Sequence, residues 1–236
     1  MYLHCTPTRL FLAPFAALLV VGCQPLTPDG GDGVCNEWMP VDGGGVYTYE
    51  TTNDSEPPFT WTQELLPRDA DGFYPLQSDL PEGSSTLFYR CNDGDVELVR
   101  SESSAGGISA TETYDPPWLA WPGGAPDAEQ AWASIVDVTV TGGGVSQSQR
   151  KTGNWEIREA NVEAITDNGD TWPNSVVFHH TSSLIIDGET VTETEENTIT
   201  SLDGPGLVWS DVITTTFPGG VEQTAESITE LIGYAE

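Results

Sequence analysis

The chain reads as an all-β domain of about ten to twelve strands joined by short hairpins, with little helix. Three observations predict it. Apolar and Thr-rich stretches alternate with a period of two, as the two faces of a strand do. Turn residues recur between those stretches, above all Asp-Gly, Gly-Gly and Pro-Gly. Hardly any segment shows the three-and-four spacing of a helix face.

In chain order, residues 46–52 are rich in Tyr and Thr and set Tyr47 and Tyr49 on one face. Phe59–Leu65 alternates Phe59, Trp61, Gln63 and Leu65 against Thr60, Thr62 and Glu64. Strands at 87–91 and 96–100 flank Asn92-Asp93-Gly94-Asp95, and Asp-Gly between two apolar runs is a strong hairpin signal. A Thr-rich strand is expected at 108–114. The stretch 116–124 (Pro-Pro-Trp-Leu-Ala-Trp-Pro-Gly-Gly) is expected as a loop, since proline cannot donate to a central ladder. It would be a lid bearing Trp118 and Trp121, or a packed crossover.

Residues 132–140 carry the cleanest alternation, with Trp132, Ser134, Val136, Val138 and Val140 on one face. Residues 127–132 could instead open as a helical turn behind Pro126. After Gly142-Gly143-Gly144, strands are expected at 145–157 and 160–166, then a turn at 167–170. Residues 176–186 and 190–200 form a hairpin across Asp187-Gly188. A third pair, 207–217 and 221–234, flanks Pro218-Gly219-Gly220; Val221, Ala225, Ile228 and Ile232 also fit a helical face.

Ahead of the domain, twelve apolar residues from Leu10 to Val21 follow Arg9, the layout of an export signal. The run is too short for a permanent span, which needs about 20 residues. It closes Val20-Val21-Gly22-Cys23. These four residues resemble the lipobox of bacterial lipoproteins. The resemblance implies that Cys23 receives a diacylglycerol, that the chain is cut before it, and that the new amino terminus is acylated. Residues 1–22 are then a signal peptide, 23–34 a Pro- and Gly-rich tether, and 35–236 a single β domain. Gln24 rather than Asp behind the acylated Cys favours the outer over the inner membrane, in a cell with both.

Removing residues 1–22 leaves 214 residues, with six bases against 37 acids and a net charge of −31. Lys151 is the only lysine. That charge argues against binding nucleic acid or anionic headgroups. The acids are spread along the chain and read as a solvated coat. Cys5 leaves with the signal and Cys23 carries lipid, so Cys35 and Cys91 remain. An exported compartment permits a bridge between them, worth roughly 4 kcal/mol on the chain-entropy model. Two separately buried thiols are the alternative.

The second half carries a further likeness. Trp132 opens a long strand, Val162 precedes a turn, Trp172-Pro173 follows it, and Gly204-Pro205-Gly206-Leu207-Val208 lies beyond the long hairpin. This order, over roughly residues 86–234, resembles a group of exported bacterial lipoproteins with a Gly-x-Gly-Leu-Val turn. Here Leu202 replaces the usual aromatic and Pro205 sits inside the turn. The resemblance implies one large curved antiparallel sheet, a half-barrel or open barrel like that of periplasmic lipoprotein carriers. The concave face would hold an acyl chain or other apolar ligand against Trp118, Trp121, Trp132, Val136, Val138 and Phe178. The same residues would serve equally as a plain core.

Catalytic chemistry finds little foothold. His179 and His180 are the only histidines beyond the signal, and neighbours on a strand face opposite ways, so one is expected in the core and one in solvent. No Gly-x-Ser-x-Gly elbow is present. Zinc lacks His and Cys ligands. Calcium would suit the acids at 69–72, 92–95 and 167–170, but none continues into an EF-hand register and all three read as turns. Glu193, Glu195 and Glu196 read as a solvated face. The expectation is therefore a non-enzymatic, lipid-anchored envelope protein without cofactor, touching the membrane through its anchor and binding an apolar or lipid ligand. The alternatives are an envelope hydrolase, which would need a cleft carboxyl of raised pKa or a His–acid contact, and a surface interaction protein without a cavity.

Overall fold

The computed structural model describes residues 3–4, 24–25, 45–54, 57–202 and 206–235. Cys23, Cys35, most of the expected signal and tether, and the turn 203–205 lie outside the described residues. The body of the protein is twelve strands: β1 (Val46–Asn53), β2 (Phe59–Leu65), β3 (Tyr74–Leu80), β4 (Gly83–Asn92), β5 (Asp95–Ala105), β6 (Ile108–Trp121), β7 (Ala131–Gly142), β8 (Val145–Ile165), β9 (Thr171–Ile186), β10 (Glu189–Ser201), β11 (Gly206–Thr216) and β12 (Gln223–Ala235). Each pairs antiparallel with the next, and β12 returns to pair with β1.

The sheet is therefore a closed barrel, not the half-barrel or open barrel expected. Closure depends on the final segment. Its helical spacing is overridden because Leu231 and Thr229 face inward opposite Tyr49 and Thr51, and the Thr51 and Thr229 hydroxyls bond at 2.8 Å. Pairing the two ends removes both exposed sheet edges.

Three other expectations are corrected. The Pro116-Pro117 stretch lies within β6, not in a loop. The ladder to β5 jumps from Leu98↔Trp118 to Arg100↔Thr113, so both prolines sit in a bulge where no amide proton is required. Strands 145–157 and 160–166 are one strand, β8, bent by shifts between Ile157 and Ala164. Residues 127–130 form a turn closed by the Gln130 amide on the Asp127 carbonyl, not a helix opening. Strand β3 was unforeseen, its Pro75 and polar residues hiding the alternation.

Alternate connections share an end of the barrel. One end carries the longer loops 66–73, 122–130 and 166–170, together with the start of β1. The other carries tight turns, including Gly143-Gly144 and Asp187-Gly188. At Asp187-Gly188 both residues have positive φ (52° and 86°), the mirror-image turn that matches strand twist.

Inward residues differ between the ends. Toward the loop end they are large: Tyr49, Tyr74, Tyr89, Trp118, Ile157 and Phe178 are all buried. Toward the hairpin end many are small or polar, such as Ser103, Ser182, Thr194 and Ser227, beside Val140 and Leu184. Eight strands give a lumen that side chains just fill, and circumference grows with strand number. Twelve strands therefore need aromatics to close the interior, and where Ser and Thr replace them a space remains.

The outward face of the wall mixes polar and apolar residues. Along β7 it reads Ala131, Ala133, Ile135, Asp137, Thr139 and Thr141, and β10 places Glu193 and Glu195 outside. A membrane-spanning barrel presents a continuous apolar band to lipid; on this wall Ile135 is followed by Asp137, Thr139 and Thr141. Among the described residues no helix is long and apolar enough to cross a membrane.

Candidate functional site

The space at the hairpin end is a cavity of about 200 Å³ lined by Glu112, Val138, Gln149, Lys151, Ser182, Leu184, Thr192 and Thr194. These come from five strands, β6 to β10, each at an inward register position. Lys151 stands opposite Val136 on β7 and Leu184 on β9.

Trp118 belongs to the buried cluster and touches Lys151 of the cavity wall. Its ring lies against Gly153, the inward position next to Lys151; a Cβ there would stand 2.7 Å from the indole, so only glycine admits the ring. Trp155 meets Trp118 edge-on at 4.9 Å and stacks on His180 at 4.3 Å. The Lys151 ammonium rests over Trp118, 4.9 Å from the ring centre, a contact that favours a cation. Burial pushes the Lys151 pKa below the usual lysine range, against the pull of Glu112 and Glu196.

Both carboxylates have donors of their own. Glu112 Oε2 accepts from the Tyr114 hydroxyl at 2.7 Å and from Ser101 Oγ at 3.2 Å. Glu196 Oε1 accepts from Thr198 Oγ1 at 2.8 Å, and Oε2 lies 3.5 Å from His180 Nδ1. Burial alone would raise the Glu196 pKa. Hydrogen bonds from His180 and Thr198, with the His180 and Lys151 charges, more than offset that and hold it below the usual carboxylate range. Burial pushes the Tyr89 phenol upward, and the Glu196 charge adds to it.

Of the residues expected to line an apolar site, Trp118, Val136, Val138 and Phe178 belong to one buried cluster, with Trp121 and Trp132 packed against it. Val138 also reaches the cavity wall. Trp132 stacks on Trp155 at 5.7 Å and meets Phe178 edge-on at 6.1 Å, and Trp121 stacks on Tyr89 at 6.0 Å. His179 and His180 fall on opposite faces: His180 inward, His179 outward with Nδ1 3.2 Å from Asn197 Oδ1. Cys91 is inward at the end of β4 opposite Val96; its expected partner Cys35 lies outside the described residues.

Glu196 corrects the solvated-face reading of its stretch, since only Glu193 and Glu195 point outward. The acids at 69–72 and 92–95 hold turns: Asp69 Oδ1 accepts the amides of Asp71 and Phe73, and Asp95 Oδ1 that of Gly123. Among the described residues no group of three His, Cys, Asp or Glu is placed to hold a metal.

Sequence reasoning missed the meeting of Glu112, Lys151 and Glu196. One signal was available: the only lysine of a strongly acidic chain sits two residues before Gly153 and four before Trp155, so period two places it on their face. No family model, curated protein or solved structure matches the chain.

Proposed function

We propose that this is a non-enzymatic binding protein held at a cell-envelope membrane by lipid on Cys23, and that it takes a small ligand into the hairpin end of its lumen. The observation that carries this reading is the cavity itself: a space of about 200 Å³, walled by hydroxyls, one amide, one acid and the sole lysine, with Val138 and Leu184 offering an apolar side. A purely structural barrel gains nothing from leaving such a space beside a buried amine.

The ligand class follows from the wall. The aromatic part of the lumen is packed, so an extended acyl chain has less room than a compact molecule with one apolar side and several acceptors. The route follows from topology. β1 starts at the loop end, while the cavity lies toward the hairpin end. Its ligand then arrives from water rather than from the anchoring bilayer. Within this reading the envelope side is the outer membrane, and the Cys35–Cys91 bridge ties the tether's end to β4.

The test uses the full chain in its native host. Cys23→Ala is expected to abolish incorporation of radiolabelled palmitate and release the protein from membranes. Native mass spectrometry of that released protein is expected to show a bound small molecule that is absent when Thr194→Trp fills the cavity. Palmitate incorporation unchanged by Cys23→Ala would overturn the anchor. An empty lumen in protein taken from the host would overturn the binding role.

The hydrolase reading keeps one specific support, the His180–Glu196 contact. The Glu196 carboxyl is held below its ordinary range, however, the reverse of what a general acid needs.

A further inference from the structure

Among the described residues, Lys151 is the one cation in the cavity wall, and no hydrogen bond or ion pair holds it there. Buried lysines normally compensate buried acids. Here each acid is held by other side chains: Glu112 by Tyr114 and Ser101, Glu196 by Thr198 and His180. Among the described residues, no hydrogen bond or ion pair joins the Lys151 amine to either acid. Its stem is clamped between Val136 and Leu184 in the register, and its nitrogen rests on the face of Trp118. The amine thus stands in the wall of a solvent-connected cavity with its hydrogens unclaimed.

We infer that Lys151 condenses with aldehydes that enter the lumen, holding them as an imine. This rests on the reading that the cavity admits a small ligand, and it names the ligand's chemical class as a carbonyl compound with a short apolar body. The nitrogen lone pair attacks the aldehyde carbon, and the C–N bond forms as the carbonyl oxygen takes up a proton. The C–O bond of that carbinolamine then breaks and the oxygen leaves as water. Amine and aldehyde become imine and water, with no oxidant or reductant consumed. Glu112 shares the cavity wall with Lys151, so its carboxylate can take the proton the ammonium must lose and return it to the departing oxygen. Desolvation of the amine favours its neutral, nucleophilic form. Val138 and Leu184 give the aldehyde's carbon chain a surface.

A single lysine makes the test clean. The full chain carrying Arg158→Lys gains an exposed reference amine on β8. It is treated with butanal and cyanoborohydride, which reduces an imine to a stable secondary amine, and each site is read by peptide mass mapping. Lys151 is expected to label at least about tenfold faster than Lys at position 158, and Glu112→Gln to slow Lys151 alone. Labelling at equal or lower rate overturns the inference. Butanol, which fits the same space but cannot condense, separates this from the binding reading. Protection of Lys151 by butanol supports both. Tryptophan fluorescence that responds to butanol while Lys151 stays unlabelled overturns the imine and leaves binding intact. No response to either compound, with no labelling, overturns both.

Discussion

Along β8 the inward positions Ile157, Trp155, Gly153, Lys151 and Gln149 pass from a fully buried floor to an open cavity wall. Ile157 is 0% exposed and belongs to the aromatic cluster; Gln149 lines the cavity. From Arg150 to Glu156 the ladder is unbroken on both sides, with β7 on one and β9 on the other. Side-chain volume is what differs. The floor is filled because Trp118 occupies the space that Gly153 leaves open. The mouth stays open because Ser182, Thr192 and Thr194, neighbours on β9 and β10, are too short to reach the far wall of a twelve-strand lumen. Stability and binding are thus assigned to different halves of one barrel.

The strongest way to break that comparison is to remove volume from each half. Ile157→Ala is expected to cost about 2–5 kcal/mol, the lost transfer energy plus an unfilled cavity. Thr194→Ala on the cavity wall is expected to stay within about 0.5 kcal/mol. Urea denaturation of the two variants beside the parent protein measures both. Equal losses would mean that the hairpin end is packed like the floor.

Alkaline titration sharpens the same contrast. Tyr49, Tyr89 and Tyr114 face inward, and burial pushes each phenol above its ordinary range; for Tyr114 the bond to Glu112 adds to the effect. Their pKa values are thus higher folded than unfolded. The stability they contribute is complete below about pH 10, where the unfolded chain's tyrosines remain neutral, and is lost as pH rises beyond it. Phenolate absorbance from these three residues is expected only as the barrel unfolds. Tyr89→Phe should reduce the pH dependence of stability above pH 10. Phenolate appearing in a still-folded barrel would show the floor to be wet.

What the sequence disclosed follows from which interactions are local. Strand identity, the Asp93-Gly94 and Asp187-Gly188 turns and the shared face of Trp132, Val136 and Val138 all depend on residues a few positions apart. Closure does not, since Leu231 meets Tyr49 only when both chain ends have folded. The Pro116-Pro117 strand was hidden for a related reason: proline forbids a ladder bond, and only the partner strand reveals a bulge that needs none. The cavity was the least legible feature. Glu112, Lys151 and Glu196 lie on three strands, and Glu196 resembles its outward neighbours until register puts it inside.

That register is open to a finer test, because Glu195 and Glu196 are chemically alike neighbours on opposite sides of one wall. Glu196 is ionised more readily folded than unfolded, since His180 and Thr198 bond its carboxylate and the Lys151 charge faces it. A depressed folded pKa contributes stability that is present above the ordinary carboxylate range and is lost as pH falls through the folded value. Glu196→Gln is therefore expected to destabilise by about 1–2 kcal/mol at neutral pH, a lost charge-assisted bond inside the barrel. The deficit should shrink in acid, as the parent's own carboxylate protonates. Glu195→Gln, with its side chain 57% exposed and 3.9 Å from His179 Nε2, should shift stability by no more than about 0.5 kcal/mol. Thermal melts of both variants from neutral to acidic pH measure the difference. If they track each other, β10 is shifted by one residue from the register described here, and the polar wall of the cavity is shifted with it.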